Sequence, residues 1–222
     1  MIPVIAIDGP SGTGKGTIAA RLAERLGWQT LDSGALYRVL GLAAERRGLA
    51  LDDPDALATL ANNLPLAFAE GRLLLDGDDV TEAIRTEQAG MSASRVAVHP
   101  PVRAALMDWQ RRCALPPGLV ADGRDMGTVV FPRAPLKIFL DASPEVRANR
   151  RYKQLIEKGL DANLPRLIED IRERDTADRA RLAAPLRAAE DAVMVDSTAL
   201  SIDEVLDRVL EEVRRVFPGL VF

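Results

Sequence analysis

"DGPSGTGKGT", Asp8–Thr17, decides how this chain folds. An apolar run, "VIAIDG" (Val4–Gly9), leads into it, and a helical pattern, Lys15–Leu26, leads out and stops at Gly27. Strand, glycine-rich turn and helix in that order converge backbone N–H groups and a helix N-terminus on one spot, which attracts phosphate oxygens. Gly9, Gly14 and Lys15 stand in the register of G-x-x-x-x-G-K, where Ser or Thr normally follows as a Mg²⁺ ligand. Here Gly16 follows, and the hydroxyl comes one place late at Thr17. Without that ligand, Mg²⁺ would rest mainly on nucleotide phosphates and water. Thr17 is placed for a phosphate oxygen instead.

Outward from the loop, three more apolar runs end in a small or acidic residue: "LVADG" (Leu119–Gly123), "KIFLDAS" (Lys137–Ser143) and "VMVDST" (Val193–Thr198). A weaker fifth run is "WQTLDSG" (Trp28–Gly34). Such runs read as buried parallel strands with function gathered at their carboxyl ends. Ser143-Pro144 opens a helix by capping rules, running to about Lys158 and closing at Gly159; Ser201-x-x-Glu204 is a capping box. The alternation predicts a doubly wound α/β fold on a five-stranded parallel sheet. Leu64–Thr81 breaks it, alternating apolar and polar residues around Glu70-Gly71 and Asp76-Gly77 as antiparallel hairpins do. The predicted organisation is a core of 1–51 and 115–222, an insertion at 52–114 with a small antiparallel sheet, and a mobile lid at about 150–166.

With 222 residues, 47% hydrophobic and 28% charged, the chain suits one domain with an inserted subdomain. A net charge of −4 offers no case for non-specific nucleic-acid binding. The opening "MIPVIAIDG" lacks a basic segment, and its apolar run is far too short for a membrane span. A reducing cytoplasm is the expectation. The single cysteine, Cys113, excludes an intramolecular disulfide. It is expected to lie buried in a helix.

Among the 29 basic residues only Lys15, Lys137, Lys153 and Lys158 are lysine. Guanidinium groups grip phosphates in pairs, and four arginine sets flank the strand ends. Ser33, Tyr37 and Arg38 follow the second strand; Asp122, Arg124 and Asp125 end the third. Arg174, Asp178 and Arg181 share a helical spacing after Leu164, and Arg147, Arg150 and Arg151 recur on the helix from Pro144. A hydroxyl acceptor often calls for a base, whereas a phosphate acceptor is already anionic. The one histidine, His99, reads as a capping or surface residue, and no H-R-D-type loop is present. Positive charge holding two polyanions in line is what such a transfer needs.

Together these pieces resemble the bacterial cytidylate kinases, within the nucleoside monophosphate kinases. The matching stretches are "IDGPSGTGKGT", "LDSGALYRVL", "IRT" (Ile84–Thr86), "ADGRDMGTVVFPRAPLKIFLDAS" (Ala121–Ser143), "RDTADRARLAAPL" (Arg174–Leu186) and "DSTALSIDEV" (Asp196–Val205). The resemblance covers nearly the whole chain, and G-K-G-T is its form of the loop. It implies core, NMP-binding and lid parts, and transfer from Mg²⁺-ATP to CMP or dCMP by a cytoplasmic monomer.

By the resemblance, Gly9, Pro10, Ser11, Gly12, Thr13, Gly14, Lys15, Gly16 and Thr17 bind ATP with Arg150 and Arg151. Ser33, Tyr37, Arg38 and Arg124 hold the acceptor phosphate, while Arg174 and Asp178 contact the ribose. Asp125 and Ser94 face cytosine N4 and Arg103 faces N3 and O2, which uracil would mismatch. Arg181 joins Arg150 and Arg151 at the phosphates. Lys15, Arg124, Arg150 and Arg181 are the implied catalytic group, and Asp122 orders water around Mg²⁺. Around the base, "SASRVAVHPPVR" (Ser92–Arg103) matches only in spacing and in Ser94 and Arg103. The rivals are a small-molecule kinase for another acceptor and a nucleotide-hydrolysing switch. The first would not call for the Asp125/Arg103 pair, and the second normally keeps the hydroxyl that Gly16 replaces.

Overall fold

The computed structural model describes residues 2–69, 72–157 and 159–220, with 68 and 69 described by backbone alone. Two compact units emerge: Met1–Leu31 with Cys113–Phe222, and Asp32–Arg112.

The first unit is built on the five-stranded sheet expected from the apolar runs. In chain order its strands are β1 (Val4–Asp8), β2 (Gln29–Asp32), β6 (Leu119–Gly123), β7 (Leu136–Asp141) and β8 (Val193–Asp196). Among the described residues they are ordered β2-β6-β1-β7-β8. β1 pairs in parallel with β6 on one side and β7 on the other, and β7 with β8. β1, β6 and β7 are buried along almost their whole length, so their apolar runs show no alternation. The loop after β1 therefore opens where strand order reverses, the place such sheets bind ligands.

The α-helices of this unit among the described residues are α1 (Lys15–Leu26), α6 (Pro144–Glu157), α7 (Leu164–Ala180) and α8 (Ile202–Val216). Their ends follow local chemistry. Gly27 closes α1 by donating to the carbonyls of Ala23 and Glu24. The Ser143 hydroxyl accepts from Val146 N, and Ser201 with Glu204 forms the expected capping box on α8. The predicted end of α6 at Lys158 lies outside the described residues. Val205, Leu206, Val209, Leu210 and Val213 of α8 are buried against Ile5, Ile7, Ile18 and Leu22; each such side chain contributes about 1.5–3 kcal/mol of transfer free energy.

Trp28 closes one end of this core, edge-on to Phe217 at 5.6 Å. Gly118 lies so near that a Cβ there would stand 2.4 Å from the Trp28 ring. Gly118→Ala is therefore expected to cost about 1–3 kcal/mol through overpacking. The measurement is the denaturant midpoint, with near-UV dichroism following Trp28; an unchanged midpoint would mean the ring has another place to go.

The second unit holds α2 (Ser33–Arg46), α3 (Pro54–Asn62), α4 (Glu87–Val96) and α5 (Pro100–Arg112). Strands β3 (Leu66–Ala69), β4 (Arg72–Leu75) and β5 (Asp78–Asp79) form its antiparallel sheet, with one turn at Asp76-Gly77. The other predicted turn, Glu70-Gly71, lies outside the described residues. The sequence-based insertion begins at 52, but the compact unit begins at Asp32. The reason is α2, whose Leu40, Ala43 and Ala44 share a core with Leu57, Leu75, Val80, Val102 and Leu106. At Gly41 the helix meets Ser92 of α4 so closely that a Cβ would lie 2.9 Å away. Cys113 corrects another expectation: it is half-buried in a turn just past α5, because the helix stops at Arg112. Among the described residues no helix is long and apolar enough to cross a membrane.

Candidate active site

The loop after β1 keeps the backbone that its glycines predict. Gly9 has φ 147°, and a Cβ on it would stand 2.0 Å from the Leu140 carbonyl oxygen, so no side chain is tolerated. Gly14 takes a left-handed conformation (φ 97°) and hands the chain to α1. Lys15, 6% exposed, folds back over the loop and donates from Nζ to the Pro10 carbonyl at 2.8 Å; the Thr13 hydroxyl donates to the same oxygen at 3.2 Å. Two arginines of α6 hold further loop carbonyls. Arg147 Nη1 donates to Ser11 O at 2.9 Å and Arg150 Nη1 to Thr13 O at 3.3 Å. In a trans peptide C=O and N–H point opposite ways, so these tethers turn the N–H groups of Gly12 and Gly14 away from α6.

A Cβ on Gly16 would lie 3.5 Å from Asp122 Oδ2. The buried Asp122 carboxylate, in β6, thus faces the first turn of α1 beside the loop. One carboxylate next to a position without a hydroxyl suits a nucleotide-borne Mg²⁺ reached through water. Among the described residues no three His, Cys, Asp or Glu side chains gather around an ion position.

Farther along the same sheet edge, three arginines crowd one acid. Asp178, on α7, accepts from Arg124 Nε at 3.0 Å and from Arg181 Nη2 at 2.5 Å. Burial acts to raise the Asp178 carboxyl, but Arg124, Arg181 and Arg174 outweigh it and hold the group below its ordinary value. Three guanidinium groups thus act on one buried carboxylate. Arg181 Nε is buried and meets no acceptor among the described residues. The expected shared helix face for Arg174, Asp178 and Arg181 needs correcting, because α7 ends at Ala180 and Arg181 is already extended (φ −57°, ψ 131°). Its guanidinium returns to Asp178 across the helix end.

The arginines of α6 also part company. Arg150 donates to the Ser197 hydroxyl at 3.1 Å and to the Ser197 carbonyl at 2.6 Å, and Arg151 is half-buried on the same helix. Arg150 and Arg181 therefore sit on different partners. Arg147 is 1% exposed and forms a bidentate pair with Asp175, while its Nε donates to Ala142 O at 2.8 Å. It anchors the loop from behind, a role that its spacing with Arg150 and Arg151 did not separate.

Asp125, 3% exposed, precedes a π-helical turn, Met126–Val130. Asp8 reaches that turn from the end of β1, accepting from Met126 N at 2.8 Å and Gly127 N at 2.7 Å. Burial pushes the Asp8 carboxyl up to about 6; the Gly127 and Met126 N–H groups pull it down, Asp125 pushes it up and Lys15 pulls it down. Asp8 was missing from the sequence-predicted site although it opens the quoted motif. Its position at a strand end was the available signal.

In the second unit, Asp32 caps α2 by accepting from Ala35 N at 2.9 Å. The Ser33 hydroxyl donates to Gln110 Oε1 at 2.8 Å, and Gln110, 1% exposed, is itself held on Leu106 O. No motif pointed to Gln110. Tyr37 lies under the Arg103 guanidinium, 5.6 Å from carbon to ring centre, and Arg38 is half-buried one residue on. Arg103 also donates to Ala97 O at 3.3 Å. The Ser94 hydroxyl donates to Gly90 O at 3.1 Å. His99 is half-buried, with Nε2 2.9 Å from the Leu51 carbonyl oxygen.

Known proteins match this chain over nearly its whole length. The family model described as cytidylate kinase matches residues 5–215. A cytidylate kinase of Stutzerimonas stutzeri is 58% identical over 218 residues, 96% of this chain and 95% of that protein. One from Methylococcus capsulatus is 57% identical over 216 residues, 96% and 97% of the two chains. Among solved structures, a Thermus thermophilus protein matches in fold with a TM-score of 0.50 at 24% identity, over 98% of this chain and 99% of that one.

Proposed function

This chain belongs to the cytidylate kinase family and is a kinase, and from that premise we propose that it transfers the γ-phosphoryl group of Mg²⁺-ATP to CMP or dCMP, giving ADP and CDP or dCDP. The observation that carries this reading is the arginine cluster on Asp178: Arg124, Arg174 and Arg181 around one buried acid, with Arg181 Nε buried and unmatched. Guanidinium groups gathered in this way suit a phosphate acceptor and the charge that develops during transfer.

The donor is assigned to residues 9–17, with Lys15 as the point charge on the β- and γ-phosphates and Arg150 and Arg151 beside them. The chemistry supplied by Mg²⁺ is neutralisation of charge on those phosphates, and Asp122 would hold water around the ion. Acceptor roles go to Ser33, Tyr37, Arg38 and Arg124 for the phosphate and to Arg174 and Asp178 for the ribose. Arg181 serves the transferring group. No general base is assigned, since the acceptor oxygen is already anionic and His99 is turned to a backbone carbonyl.

Base choice is assigned to Asp125, Ser94 and Arg103. The Ser94 hydroxyl already donates its proton to Gly90 O, so toward a ligand it acts as an acceptor. That supports recognition of the cytosine amino group over the uracil O4 carbonyl. The protein is read as a cytoplasmic monomer acting on free nucleotides.

The test is ADP release with Mg²⁺-ATP and each of CMP, dCMP, UMP, AMP and GMP. Fast turnover confined to CMP and dCMP is expected; preference for another monophosphate would remove the base assignment, and release indifferent to acceptor would remove the kinase reading of the arginines. In the same assay Asp125→Ala should lower kcat/KM for CMP about 100-fold while the ATP Kd stays within about twofold. Equal loss of both would count against Asp125 as the base reader.

A further inference from the structure

We propose that Asp8 is a positioning residue for acceptor selection, holding the loop that carries Arg124 and Asp125 without touching the acceptor itself. The inference rests on the reading of Asp125 as the base reader and extends it one residue behind.

The first N–H groups of a helical turn have no partner within the turn and are usually met by the side chain of the residue just before it. Asp125 stands in that place (φ −146°, ψ 24°), yet its side chain makes no capping bond. Asp8 does the capping from the neighbouring strand, taking both Met126 N and Gly127 N on its two carboxylate oxygens. The turn is thus capped from the neighbouring strand by Asp8 and not by the residue that precedes it.

The grip is tight from every side. Asp8 is the register partner of Gly123, the residue before Arg124. A Cβ on Gly123 would come within 2.9 Å of the Met126 side chain. A Cβ on Gly127 would meet Lys137 Cδ at 3.1 Å and Asp8 Oδ2 at 3.4 Å. Lys137 is itself anchored, donating to Pro132 O at 2.7 Å and to Asp191 at 2.9 Å. Arg124 and Asp125 are thus strung between two pinned points, Gly123 and Met126, and Asp8 secures both. Misplacing a recognition group by about 1 Å can cost 100-fold in rate.

Asp8→Asn keeps the size of the side chain but turns an NH₂ toward one of the two N–H donors, opposing like with like. The experiment measures kcat/KM for CMP and for UMP, and KM for ATP, in wild type, Asp8→Asn, Gly127→Ala and Asp125→Ala. The ratio of the two acceptors, taken on one preparation, does not depend on the fraction that is folded. Gly127→Ala disturbs the same contact from the other side if Asp8→Asn yields too little protein. We expect the CMP:UMP ratio to fall about tenfold in Asp8→Asn, and in the same direction in Gly127→Ala, with the ATP KM within about twofold. An unchanged ratio in both, while Asp125→Ala lowers it, would overturn the proposal. A raised ATP KM with an unchanged acceptor ratio would also overturn it and assign Asp8 to the phosphate loop. No change of ratio in Asp125→Ala itself would instead strike at the base-reading assignment.

Discussion

Lys15→Ala is expected to lower kcat by two to three orders of magnitude, about 3–4 kcal/mol of lost transition-state stabilisation, the scale found when one fixed charge or donor is removed. The fold gives this lysine one place to act. Gly14 ends the loop in a left-handed turn, so Lys15 opens α1 and its side chain is carried back over the loop to Pro10 O. It is nearly buried, where a point charge is worth more than in water. The folded state should lose far less, since the hydrogen bond to Pro10 O contributes about 0.5–1.5 kcal/mol. Single-turnover phosphoryl transfer beside thermal unfolding would measure both quantities. A variant that kept turnover within tenfold would show that the loop binds phosphate without stabilising its transfer.

The second large effect is on stability. Arg147→Met should destabilise the protein by about 3–5 kcal/mol, because it leaves Asp175 as an unpaired charge in the core. For a chain of this size that corresponds to a fall in Tm of about 10 °C. The paired change Arg147→Met with Asp175→Leu should recover most of it, since well-packed apolar residues replace a buried ion pair at little or no cost. ATP handling should not recover, because Ser11 O has lost the donor that turns the loop. Thermal unfolding and the KM for ATP in the single and paired variants separate the two roles. If the KM returned with the Tm, the arginine would be a stability element alone.

Local structure was legible wherever a residue acts on its own backbone. Gly27 stops α1, Ser143 starts α6, and Ser201 with Glu204 starts α8, each through bonds to N–H or C=O groups within a few positions. The buried parallel strands were equally plain, because a strand covered on both faces has no polar positions to spare. The arginines were harder. Arg147, Arg150 and Arg151 follow one helical spacing, and nothing local distinguishes them. Arg147 is buried on Asp175, Arg150 reaches Ser197 and Thr13, and Arg151 stays half-buried. Arg181 misled in another way: its spacing continued a helix whose last residue is Ala180.

The sequence by itself determined the strand–loop–helix unit around Lys15, the class of sheet behind it and the family whose motifs run through the chain. These depend on short-range backbone geometry and on runs of residues that burial requires. Only the tertiary structure decided that α2 packs with the second unit, that Asp8 caps the turn after Asp125, and which guanidinium meets which acid. The bonds of Asp8 and of Arg124 depend on a partner tens of residues away. The free energy that selects it comes from burial and charge pairing in three dimensions, and periodicity along the chain carries no record of it.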